Sequence, residues 1–110
     1  MSRLLPALLL LAGCEIREER FPRKFAELNC ARHWQCERGS YDVRFSSFPD
    51  CIREYEDTFA ELAAFEEEYG CAYDPVAAEG AYDELSGMTC EQWFTGDLLL
   101  GFTAIWAECE

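Results

Sequence analysis

Six cysteines, Cys30, Cys36, Cys51, Cys71, Cys90 and Cys109, lie within the last three quarters of this 110-residue chain. They restrict the fold more than any other feature. If they pair, the backbone must bring three pairs of Cα atoms within about 7 Å of each other. Metal binding is a poor alternative, because there is no C-x2-C pair and His33 is the only histidine. The thioredoxin-type redox motif is absent for the same reason. An even set of cysteines without metal spacing reads as three structural disulfides, formed in an oxidising, exported compartment. The parity holds only if the seventh cysteine, Cys14, has another role.

Cys14 ends the run Leu11-Ala12-Gly13-Cys14. Met1-Ser2-Arg3 is a short, singly basic start, and Leu4 to Ala12 is apolar apart from Pro6. Nine helical residues reach about 14 Å, against about 30 Å for a bilayer core. The segment therefore fits a secretory h-region of roughly 7–15 residues and not a membrane span. The whole arrangement resembles the lipobox of bacterial lipoproteins. The resemblance implies cleavage after Gly13 and acylation of Cys14 with diacylglycerol and an amide-linked acyl chain. A single chain holds a protein only marginally, and a second makes the attachment stable. The expected organisation is a signal peptide over 1–13, a lipidated polar tether over 14–20 and a disulfide-rich helical domain over 21–110. Residue 15 is Glu rather than Asp. Asp at that place retains many such lipoproteins in the inner membrane, so the resemblance favours the outer membrane.

Four helices are expected. Pro22 to Glu37 places Phe21, Phe25, Leu28 and Trp34 on one face. Gly39, Ser40, Asp42, Ser46 and Ser47 make 38–48 a loop, with a brief alternation at Tyr41 to Phe45. Phe48 to Tyr69 carries Ile52, Tyr55, Phe59, Leu62, Phe65 or Glu66, and then Tyr69 in a 3-4 alternation. Ser47 and Asp50 form its start and Gly70 its stop. Pro75 to Ser86 is capped by Asp74 and faces inward through Ala78, Ala81, Leu85 and Met88. Glu91 to Glu108 follows the capping box Thr89-Cys90-Glu91-Gln92, with a break at Thr95-Gly96-Asp97. The fold class is a small all-α, disulfide-stapled bundle.

If the helices alternate in direction, Cys36 faces Cys51, and Cys71 and Cys109 meet at the opposite end. Cys30 sits about 9 Å along the helix from Cys36 and is left with Cys90. The expected pairs are Cys36–Cys51, Cys71–Cys109 and Cys30–Cys90; exchanging Cys30 and Cys36 is the alternative. Cys71–Cys90 is disfavoured, because the intervening helix holds them roughly 20 Å apart. The Cys30-x5-Cys36 pair, Ser47-x3-Cys51 and the run Cys71-Ala72-Tyr73-Asp74-Pro75 leading to Cys90 resemble small cysteine-rich helical lipoproteins of delta-proteobacterial type. That resemblance implies fold and location, with no activity attached.

The net charge is −13 and unevenly spread. Every Lys and Arg lies at or before Arg53, while residues 54–110 hold fifteen Asp and Glu. Nucleic acid and anionic lipid are poor partners for that half. Its blander role is solubility; its sharper one is a docking face for a basic protein partner. Glu66-Glu67-Glu68 spreads over too wide a helical arc to grip one ion, and no EF-hand pattern exists. Arg17, Arg20, Arg23 and Lys24 cluster beside the anchor, on the end expected to face head groups.

No catalytic constellation emerges. His33 lacks a free thiol or a G-x-S-x-G partner and is expected to be surface or half-buried on the first helix. Phosphate-cradling glycine loops are absent. No cofactor and no metal is expected. Trp34, Trp93 and Trp106 either fill the core or form a platform for a peptide, glycan or small ligand. The sequence thus reads as a lipid-anchored, non-enzymatic interaction or structural module of the cell envelope, with ligand binding through an aromatic patch as the alternative.

Overall fold

The computed structural model describes residues 15–95, 104–107 and 109. The expected signal peptide and Cys14 lie outside the described residues. Five helices and one two-stranded sheet are present among them: α1 Phe21–Cys36, α2 Arg38–Arg44, α3 Phe48–Glu68, β1 Ala72–Tyr73, α4 Pro75–Gly87, α5 Cys90–Thr95 and β2 Trp106–Ala107. A single 3-10 turn over Glu18–Arg20 leads into α1. The all-α, disulfide-bonded fold class is as expected. None of the described helices is long and apolar enough to cross a membrane.

Local chemistry sets most helix ends. At α3 the Ser47 hydroxyl accepts from the Asp50 N–H at 3.2 Å, and the Asp50 carboxylate accepts from the Ser46 N–H at 3.1 Å. Its other end closes with the Gly70 N–H on the Glu67 carbonyl and the Cys71 N–H on the Glu66 carbonyl, both at 3.0 Å. This is a Schellman closure, and it needs Gly70 at φ 76°. Asp74 caps α4 by accepting from Val76 and Ala77, and Pro75 occupies the first turn without losing a bond. Thr89 and Gln92 close a reciprocal capping box on α5.

Packing is dominated by α1 lying antiparallel to α3. Phe21 and Phe25 both touch Phe59 edge-on, and Phe21 also meets Tyr73 and Trp106. Tyr82, Ala78, Ala81 and Leu85 of α4 complete this lower core with Ile105. A second aromatic group surrounds His33 at the upper end: Tyr41, Phe45, Tyr55 and Trp93. Arg32 is buried without a carboxylate; its guanidinium donates to Gln35 and to the Met88 carbonyl. Met88 terminates α4, so the cation sits on the negative end of that helix.

Four expectations are corrected. First, 38–44 is a helix rather than a loop, because Tyr41 and Phe45, one turn apart, both bury against His33; burial overrides the weak helix propensity of Gly39, Ser40 and Asp42. Second, the expected helix over Glu91 to Glu108 is not continuous to its end: among the described residues it covers Cys90–Thr95. Trp106–Ala107 is a strand, antiparallel to Ala72–Tyr73 with Tyr73 opposite Trp106, an aromatic pairing that favours extended chain. Residues 96–103, with the expected break at Gly96-Asp97, lie outside the described residues. Third, the segment expected to be a tether is docked. Ile16 is buried, its N–H reaches the Pro75 carbonyl, and the Tyr73 hydroxyl donates to its carbonyl at 2.7 Å.

The fourth correction concerns the disulfides. Cys71–Cys109 forms as expected, but the other two partners are exchanged: Cys30 joins Cys51 and Cys36 joins Cys90. The cause is α2. It fills the corner above α3, so α3 begins about one turn before the end of α1 and its fourth residue, Cys51, comes level with Cys30. Cys30 and Cys51 are then 6.0 Å apart at Cα and fully buried. Cys36 is left at the tip, where α5 starts, 5.2 Å from Cys90.

Candidate functional site

The upper end of the bundle carries a groove with an apolar lining. Ala31, Trp34 and Gln35 come from the outer face of α1, Tyr41 from α2 and Phe48 from the first turn of α3. The groove has a volume of about 510 Å³, within the range of small-molecule sites. It exists because α1 has two uses for its upper turns. Asn29, Arg32 and His33 turn inward, which leaves Trp34 45% exposed on the other side. Trp34 was expected on the buried face with Phe25, and the structure places it outside.

The Arg38 guanidinium stands 4.1 Å over the Trp34 ring and pairs with Asp42 at 3.6 Å. One end of the groove is therefore charged and adjustable. Gln35 accepts from Arg32 through Oε1 at 2.9 Å; its amide N–H groups have no partner among the described residues and are available to a carbonyl. The other two tryptophans do not join the groove. Trp93 donates to the Glu37 carboxylate at 2.9 Å, and Trp106 is buried against Phe21. No pair of exposed tryptophans forms a platform.

His33 is a core residue, contrary to the expected surface or half-buried position. Its Nδ1 lies 3.0 Å from the Tyr55 hydroxyl and its Nε2 3.1 Å from the Ser40 hydroxyl. Each hydroxyl can donate or accept, so either neutral tautomer is satisfied. Burial among four aromatic rings lowers the His33 pKa below the usual 6.5; the Glu37 carboxylate, 3.7 Å away, opposes that shift and Arg44 adds to it. Burial also raises the Tyr55 pKa, which keeps its hydroxyl protonated. Ser40 and Tyr55 were not singled out in the sequence. No spacing rule joins residues 33, 40 and 55, and only the α2 corner brings them together.

The acidic second half is largely uncompensated. Glu54 pairs with Arg44 at 2.8 Å and Glu56 lies near Arg23. Asp57, Glu61, Glu67, Glu68, Glu79, Asp83, Glu84 and Glu91 make no ion pair among the described residues, and Glu66 makes none either. Glu66, Cys71 and Cys109 come within 4.8 Å of one another. The two sulfurs are bonded to each other, so neither supplies the thiolate that a metal would need.

Comparison with family models found no match, and neither did comparisons with curated proteins or with solved structures. The functional reading therefore rests on the residues of this chain.

Proposed function

We propose that the chain is a lipid-anchored protein of the cell envelope, attached through Cys14 and sited in the outer membrane rather than the inner one, whose folded part is a non-catalytic interaction module. One observation supports this above the rest. The six cysteines of the domain are used up by Cys30–Cys51, Cys36–Cys90 and Cys71–Cys109, so of the seven in the sequence Cys14 alone is left for another fate. Three disulfides suit an oxidising compartment, and the Leu11-Ala12-Gly13-Cys14 run supplies the lipobox.

The non-catalytic part of the reading draws on His33. A serine 3.1 Å from a histidine resembles an activated nucleophile. Here the orienting group on the other ring nitrogen is a tyrosine hydroxyl, not a carboxylate, and Ser40 is outside the groove lining. The pair works as a structural clasp of α1, α2 and α3. The uncompensated carboxylates of α3 and α4 suit a basic protein partner, whose binding would weaken with salt.

The groove favours a second reading, in which the module takes an apolar side chain of an extended peptide between Trp34, Tyr41 and Phe48, with Gln35 donating to the peptide carbonyl.

The test of the main reading is metabolic labelling with an alkyne palmitate analogue in a diderm host, followed by membrane separation. Wild type is expected to take up label and to band with the outer membrane. Cys14→Ser is expected to lose both. A wild-type protein that stays unlabelled and leaves the membrane fraction would overturn it. An active-site serine probe should leave Ser40 unmodified; stoichiometric reaction there would end the non-catalytic reading.

A further inference from the structure

The geometry points to a rigid mount: residues 16–20 fix the orientation of the domain on the membrane and press its lower end against zwitterionic lipid head groups. The inference rests on the lipid-anchor reading of Cys14 and deepens it by naming the surface that meets the bilayer.

The span from Cys14 to the folded domain is short. Cys14 is two residues from Ile16, and consecutive Cα atoms are 3.80 Å apart, so their Cα atoms are separated by at most about 7.6 Å. Ile16 is buried, and its backbone is held on both sides: N–H on the Pro75 carbonyl, carbonyl on the Tyr73 hydroxyl. Burial raises the Tyr73 pKa, with Glu18, Glu19 and Asp74 adding to the effect, so the hydroxyl remains a donor. The turn over Glu18–Arg20 then runs straight into α1. No slack lies between the acylated residue and the core.

The same end carries the last turns of α3. Because α1 and α3 are antiparallel and Phe21 sits beside Phe59, those turns extend about 9–15 Å past the start of α1 and lead through Gly70 into residues 73–75, the stretch that holds Ile16. Phe65 and Tyr69 are exposed there, their ring centroids 4.6 Å apart and the rings tilted by 47°, and Val76 is exposed beside Pro75. These large apolar side chains were expected, in the case of Phe65 and Tyr69, to face the core. Among the described residues all three stay exposed. Aromatic and aliphatic side chains at one end, next to an acyl anchor, suit the head-group layer. Glu66, Glu67 and Glu68 stand among them, while Arg17, Arg20 and Arg23 are exposed around the start of α1, so charges of both signs share this end and a zwitterionic surface is the one that fits.

Two exposed valines at opposite ends report the orientation: Val76, 61% exposed, at the mounted end, and Val43, 90% exposed, on α2 at the far end. The experiment uses the acylated protein in phosphatidylcholine nanodiscs containing head-group nitroxide lipid, with methyl-labelled valine. Paramagnetic relaxation is expected to be several-fold larger at Val76 than at Val43. A ten-residue Gly/Ser insertion between Glu15 and Ile16, which adds a flexible reach of about 17 Å and leaves Ile16 docked, is expected to abolish that difference. Equal relaxation of the two valines in a protein whose mass carries the acyl chains overturns the mount while leaving the anchor intact. A mass without acyl chains overturns the anchor and the mount together.

Discussion

Removing the Cys36–Cys90 bridge by the double substitution Cys36→Ala, Cys90→Ala is expected to be the most destabilising of the three disulfide deletions on chain entropy. The bridge closes 54 residues, against 38 for Cys71–Cys109 and 21 for Cys30–Cys51. The loop-entropy relation gives about 4.2, 3.9 and 3.3 kcal/mol at 25 °C, in that order. Domains of this size are stable by only about 0.05–0.15 kcal/mol per residue, so a loss of about 4 kcal/mol removes about a quarter or more of the total. In urea, with m between about 1 and 3 kcal/mol/M, the midpoint should fall by between about 1.4 and 4 M. Cys30 and Cys51 are fully buried, so their deletion adds a packing loss that brings Cys30–Cys51 closer to the others than entropy alone. Cys36 and Cys90 are only half-buried, which makes their pair the cleaner test. A loss below about 1 kcal/mol would refute the reasoning, since a cross-link between the tips of α1 and α5 could not then be limiting the unfolded chain.

Ile16→Ala should destabilise the domain by about 2–4 kcal/mol, read by urea unfolding, although it lies in a stretch that looks like a polar tether. Gly70→Ala places a Cβ at φ 76° and should cost about 1–2 kcal/mol, read by the thermal midpoint. Folding favours the neutral form of His33, so stability is retained above pH 6.5 and declines as pH falls through 6.5 toward the lowered folded value. Urea midpoints at pH 7.5 and 5.5 should show a larger acid loss for wild type than for His33→Gln. Asp74→Ala removes the α4 cap and should cost about 1 kcal/mol, measured in the same way.

Much of the fold was legible because punctuation is local. Ser47, Asp74, Thr89 with Gln92, and Gly70 each act on their own helix end, and all four do so in the structure. What was not legible depends on distant partners. The corner helix Arg38–Arg44 has a loop-like composition and forms because Tyr41 and Phe45 find His33. Its presence lowers α3 by about one turn relative to α1, which is enough to exchange the partners of Cys30 and Cys36. The buried face of α1 was misjudged because an apolar count skips Asn29, Arg32 and His33, each of which is buried and hydrogen-bonds locally or to a neighbouring element. The groove followed from the same error, since a Trp34 assigned to the core cannot be seen to line a surface. Ile16 was hidden by its neighbours: one apolar residue among Glu15, Arg17, Glu18 and Glu19 carries no periodicity.

The account stands or falls on the seven cysteines. Intact-mass analysis of the membrane-extracted protein, alkylated without reduction and then mapped by peptides, tests it most directly. The account predicts a chain that begins at acylated Cys14, takes up no alkylating reagent and yields Cys30–Cys51, Cys36–Cys90 and Cys71–Cys109. An unacylated Cys14 that alkylates freely, or a peptide map joining Cys36 to Cys51, would contradict it.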